Sequence, residues 1–465
     1  MAYRIEDRPA RAIRSHQDDP RGCPTSTASH TALQHLEEAL ESMLSYFGSP
    51  VAALERAQEA DPSWAHVETI RAGWLLTACE YGATQQAREA LAKAAQLASG
   101  ANEREQAHIA AAQAAADGNW ERACDLWEAI LVRWPRDIAA LLFAHLFDFY
   151  RGDALNLKRR PQRVLPRWSA GLPLYPYVLG MAAFGLEESG HYAEADDAGR
   201  AALAMNARDP WAIHAVTHVF EMQGRHHAGA TWLQARRADW SVDNGLAFHN
   251  WFHAGLFHLE AMDTASALAV YDAHLAQASE LALQLVDRTA LLWRLKLLGV
   301  DVAWRFAALA LEWHTQAPAA GFHAFNDLHA QIACIGAGMD AEDLLLVMNA
   351  AASAGGSNER MTRHVGLPLA RAFDAYSHGR WDEATEGLLR TRDGAHRFGG
   401  SHAQRDLLTW TLMDAAVRSG QRALAAHVLA ERYAAKRDTP LTAFWQGRVR
   451  NIPRRGFGPP GDALV

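Results

Sequence analysis

The chain has 465 residues, 49% hydrophobic and 21% charged, with a formal net charge of −8 and a pI near 6.3. This acidic balance, with no basic run interleaved with aromatics, excludes a general nucleic-acid binder. No stretch approaches the ~18 uninterrupted apolar residues of a membrane span, and the four dispersed cysteines lack zinc-ribbon or CxxC spacing and read as reduced thiols.

Residues 1–28 are polar, contain prolines and carry no helical period, so an irregular arm is expected there. The start has no apolar leader, and the expected location is the cytoplasm. From Ser29 the apolar positions recur with helical spacing and continue to about Arg450, with no alternating strand of useful length. The remainder, 451–465, is a Pro/Gly-rich tail. Within 29–450 the turns repeat. Gly118-Asn-Trp-Glu-Arg-Ala123 matches Gly190-His-Tyr-Ala-Glu-Ala195 and Gly379-Arg-Trp-Asp-Glu-Ala384, and Gly224 to Gly229 is a variant. Gly82 with Ala87 and Gly420 with Ala425 keep the outer positions. Each Gly supplies a left-handed residue closing one helix, and the small residue five later lets the next helix pack closely. With weaker turns near Gly152, Met262, Gly299 and Gly336, the spacings run from 34 to 43 residues. That is the period of tetratricopeptide-type helical hairpins. The expected fold is all-α, a right-handed α-solenoid of about ten such hairpins forming one cooperative unit over 29–450.

The polar residues within this frame are not those of packing alone. His214-Ala-Val-Thr-His218 and His249-Asn-Trp-Phe-His253 are two i, i+4 pairs set 35 residues apart. Each pair falls on one helical face, about 5–6 Å between Cβ atoms. Glu221 and Glu260 continue the two stripes, at offsets of seven and eleven residues from His214 and His249. A separation equal to one repeat places the two faces side by side. Both pairs precede their turns, which puts them on the concave side of the solenoid. Asn326, Asp327 and His329, and later Gln404, Arg405 and Asp406, occupy the corresponding region of other repeats. A superhelix can fold distant repeats across one groove.

At HAVTHVFEMQGR, LAFHNWFHAGLFHLE, FNDLHA, HVGLPLARA and GGSHAQRD the chain resembles the tetratricopeptide repeat protein 38 family, and the likeness covers nearly its whole length. The resemblance implies a tetratricopeptide fold. It assigns His214, His218, Glu221 and Met222 to a first motif and His249, Asn250 and His253 to a second. Asn326, Asp327 and His329 form the third, and Gln404, Arg405 and Asp406 the last. Two positions depart from the pattern: Trp251-Phe252 stands where the family shows an aromatic followed by Trp, and His402 where it shows Asn.

Three chemistries fit these residues. In the first, His214, His218, Glu221, His249 and His253 hold a divalent transition metal (Zn, Fe or Mn), since imidazole and carboxylate are its usual ligands. Asp327, His329, Arg405 and Asp406 then serve as acid, base or oxyanion partners of a metal-dependent enzyme. In the second, the same histidines and Asp327 move protons on a small molecule without metal. Trp211, Asn250, Trp251, Asn326 and Gln404 complete the pocket in either case. In the third, the groove is a scaffold binding a peptide or partner helix, and the histidines merely satisfy local hydrogen bonds.

Overall fold

A computed structural model describes residues 17–453 apart from 278 and 280. The parts of the expected arm before residue 17 and of the tail after 453 lie outside it. Helix succeeds helix from His30–Ser45, capped by the Ser29 hydroxyl, to Pro440–Arg450. Among the described residues the only sheet is the two-residue pairing of Gln17–Asp18 with Pro24–Thr25. The protein is all-α, and no described helix is long and apolar enough to cross a membrane.

The turn glycines act as their sequence context predicts. Gly118, Gly190, Gly224, Gly379 and Gly420 have φ between 69° and 78°. The amide after each reaches back five residues along the chain, as Asn119 N–H to the Ala114 carbonyl (2.9 Å) and Arg225 N–H to that of Phe220 (2.8 Å). This bond satisfies a carbonyl the helix end leaves open. Met262 takes the same conformation at φ 60° without being glycine. Two expectations are corrected. Gly82 lies inside the helix Tyr81–Leu97, and Cys79 holds the left-handed position before it. Gly336 lies inside the helix Ala324–Gly336 against the Phe306 ring, and the turn falls at Gly338. In both cases a neighbouring residue turns the chain; Gly336 serves close packing instead, whereas a Cβ at Gly82 would meet nothing within 4 Å.

Consecutive helices pack in pairs, such as Ala65–Leu76 on Tyr81–Leu97 and Tyr175–Glu187 on Tyr192–Met205. The first helices of successive pairs also pack on one another: Tyr175–Glu187 on Pro210–Met222, and Ala247–Glu260 on Ala282–Leu297. These inner helices are buried nearly all round, and they carry the polar residues of interest. The array curls until remote parts touch. The helix His402–Arg418 packs on both Pro210–Met222 and Ala282–Leu297, and the Trp211 indole donates to the Leu44 carbonyl (2.9 Å). At Gly152 the approach is so close that a Cβ would stand 1.6 Å from the His396 carbonyl oxygen.

Asp209 fixes where the central helix starts. Its Oδ1 accepts from the backbone N–H groups of Trp211 and Ala212, and Pro210 follows at the first helical position. Burial pushes this carboxyl up to about 8, against those hydrogen bonds. The unfolded value is about 3.9. Between these two pH values the folded chain therefore holds a proton that the unfolded chain has lost, and stability falls as pH rises through the window. Asp209→Asn keeps the capping oxygen and removes the titration. Its urea midpoint, compared with wild type at pH 5 and pH 8, is expected to gain on wild type at the higher pH. A constant difference would refute the assignment.

Candidate metal centre

Four imidazoles meet between the helices Pro210–Met222 and Ala247–Glu260. One nitrogen from each of His214, His218, His249 and His253 lies within 4.8 Å of the others. Ring centroids are 4.3 Å apart for His214–His218, 4.5 Å for His218–His253 and 4.7 Å for His249–His253. The i, i+4 spacing produces each pair, and the neighbouring positions of the two helices bring the pairs together. His218 and His253 are completely buried, and His249 is the most accessible of the four.

Three of the four rings have a carboxylate at Nδ1. His249 Nδ1 is 2.6 Å from Asp287 Oδ2, and His253 Nδ1 is 2.6 Å from Glu221 Oε2. His218 Nδ1 is 3.1 Å from Glu187 Oε2. Asp287 is itself held by Gln404, whose Nε2 donates to Oδ1 (3.0 Å). The bonds to Asp287 and Glu221 fix the tautomer and orientation of His249 and His253 and leave their Nε2 atoms facing inward, an arrangement typical of ligating histidines, whereas His218 and Glu187 approach without a hydrogen bond. The two inward nitrogens of His249 and His253 are 3.2 Å apart. Burial holds His214 and His253 well below the usual imidazole range and His218 at about 4, so these rings are neutral near pH 7. Burial also raises Glu221, with Lys436, His218 and Arg294 pulling it back.

The cluster ends a cavity of about 410 Å³. His214, His249, Asp287 and Gln404 form its polar end, and Tyr46, Trp74, Phe149, Phe184, Trp211 and Phe248 supply an apolar wall. That division, a broad aromatic surface with a few convergent polar groups, is the usual form of a small-molecule site. His145 also lines it, fully buried, and burial lowers its imidazole to about 3.

Several residues expected at one site are placed elsewhere. Glu221 is not among the converging ligand atoms, because its carboxylate is engaged at Nδ1 of His253. Glu260 points away, paired with Arg432 and Thr439. Asn326 and Asp327 line a second cavity, and His329 donates from Nδ1 to the Phe325 carbonyl (2.8 Å). Arg405 binds the carbonyls of Gly399 and Gly400 and lies 3.6 Å from Glu188. Asp406 accepts from the Trp410 indole (2.8 Å). One residue along a helix is a turn of about 100°, so Gln404 reaches the site while Arg405 and Asp406 are carried off its face. The same rotation removes Trp251, which stacks on His274 at 3.6 Å, and Asn250, which is buried without lining the cavity. Trp211 and Gln404 are lining residues as expected.

Asp287, Glu187 and Glu188 were not singled out by sequence, although each left a signal. Asp287 interrupts the apolar run of Ala282–Leu297, and Glu187-Glu188 closes that of Tyr175–Glu187. A charge inside a helix buried all round needs a partner, and here the partner is a histidine. No protein-family model matches the chain.

Proposed function

We propose that the protein is a metal-dependent enzyme acting on a small molecule with an apolar or aromatic portion, its ion held by His214, His218, His249 and His253. The observation carrying this reading is the 3.2 Å separation of the inward nitrogens of His249 and His253. Both rings use Nδ1 on a carboxylate, so two lone pairs face each other unless a proton or cation lies between them. Burial opposes a second proton on His253. Four nitrogens at the 2.0–2.1 Å of a tetrahedral zinc site are about 3.3 Å apart, close to what these two rings show. Zn, Fe and Mn all suit such donors to differing degrees, with imidazole favouring Zn and Fe. A bound ion would polarise a carbonyl or supply hydroxide near neutral pH. The chain's own contribution is to orient His249 and His253 through Asp287 and Glu221, and to hold an apolar guest against the aromatic wall beside His214 and His249.

The framework of this proposal is a right-handed α-solenoid of about ten tetratricopeptide-like hairpins, of the kind found in the tetratricopeptide repeat protein 38 family, acting in the cytoplasm. The repeated left-handed turns and the stacking of first helices support it. A peptide-docking scaffold is the competing reading; it accounts for the ring–carboxylate pairs as local hydrogen bonds, but not for the convergence of four imidazole nitrogens on one point. Elemental analysis of protein purified without an affinity tag tests the proposal. About one transition-metal ion per chain is expected, whereas near-zero metal that added Zn, Fe or Mn does not restore would remove it. Activity that survives chelation would favour acid–base chemistry by the histidines alone.

A further inference from the structure

A second cavity, of about 360 Å³, lies beyond Glu80, a residue that lines both hollows. Tyr81, Trp313 and Phe322 are among its walls, and Tyr81 and Phe322 meet edge to face at 6.3 Å. Its charge is one-sided: Glu80, Asp327, Asp340 and Asp343 line it, with no lysine or arginine among the described lining residues. Asp340 and Asp343 are at the exposed rim, and Asp327 is the deep member, 4% exposed.

The surroundings of Asp327 are those of a carboxylate awaiting a partner. Oδ1 accepts from the Gly321 backbone N–H (2.9 Å), while Oδ2 is buried with no hydrogen-bond partner among the described residues. No described basic side chain forms an ion pair with it. The adjacent Asn326 lies beside His323, whose imidazole burial holds at about 4 against its contact with Asn326, so that ring brings no positive charge near pH 7. A buried carboxylate without a cation is costly, and burial raises this one to about 7. An unused carboxylate oxygen, one sign of charge and aromatic walls together describe a receptor for a donor-bearing cation, since ring faces attract ammonium groups.

We propose that this cavity binds an organic primary ammonium compound, with Asp327 as its counter-ion and the aromatic side chains around its carbon skeleton. The inference stands independently of any ion at the histidines. Calorimetric titration of the full chain with phenethylamine tests it, with 2-phenylethanol as the neutral counterpart of the same shape. The amine is expected to bind wild type at least about tenfold more tightly than the alcohol. Asp327→Asn, which preserves shape and the Gly321 contact, is expected to reduce amine affinity by a similar factor while leaving the alcohol's unchanged. Failure of the amine to bind wild type, or equal amine affinity in wild type and variant, would overturn the proposal. The amine–alcohol comparison in wild type decides the matter even if the variant folds poorly.

Discussion

Protein carrying His253→Ala is expected to be isolated with essentially no bound transition metal, against about one ion per chain in wild type. His253 is the ring through which the two pairs meet, with centroids of the other three at 4.5–5.2 Å. Its removal takes away one of four ligands and strands Glu221, so some loss of stability accompanies the loss of metal. A gentler variant separates the two effects. Asp287→Asn leaves every ring in place but weakens the acceptor at His249 Nδ1 and the link to Gln404. Outer partners of this kind typically contribute about 10–100-fold to metal affinity, and a loss in that range is expected by competition with a chelator. Unchanged metal content in His253→Ala would contradict the proposed ligand set.

Arg294→Met is expected to be among the most destabilising single changes, by about 3–5 kcal/mol, since hydrogen bonds from a buried charged donor contribute roughly 1.5–3 kcal/mol each and several are lost together. The Arg294 guanidinium is 1% exposed and donates to the carbonyls of Ala290, Ala403 and Gln404. It therefore ties the first turn of His402–Arg418 to the helix Ala282–Leu297, on which Asp287 stands. It also places positive charge near Asp406, Glu221 and Asp287, although burial lowers its own basicity. Methionine fills much of the same volume but offers no donors. Lysine keeps the charge yet cannot reproduce the planar fork, so Arg294→Lys is expected to recover only part of the loss. A urea midpoint unchanged in Arg294→Met would show that these contacts contribute little.

The inner histidine pairs were legible because they obey a local rule: two residues four apart share a face, and a separation of one repeat sets two faces together. The helices and most turns were legible for the same reason, since glycine in a left-handed turn follows from the immediate chain. What escaped was set by rotation and by long-range closure. Arg405 and Asp406 adjoin Gln404 in sequence, yet only Gln404 keeps the angle that reaches Asp287. Asp327 and His329 share the helix Ala324–Gly336, where Asp327 lines the second cavity and His329 is bonded to the Phe325 carbonyl. Asp287 and Glu187 stand on the inner helices that stack directly on those of the histidines, each about one repeat away, so the rule that joins the two pairs reaches them as well; only the rotation of each helix decides that these positions face the rings. Met262 shows the complementary case, in which the position in the turn imposed a left-handed conformation on a residue that does not favour it.

X-ray absorption at the metal edge, on protein purified without a tag and never exposed to chelator, addresses the ligand set most directly. The predicted spectrum has an inner shell of nitrogen at about 2.0–2.1 Å with the outer-shell scattering of imidazole and no sulfur. An oxygen-only shell, a sulfur shell at about 2.3 Å, or the absence of any edge would contradict a centre built from His214, His218, His249 and His253.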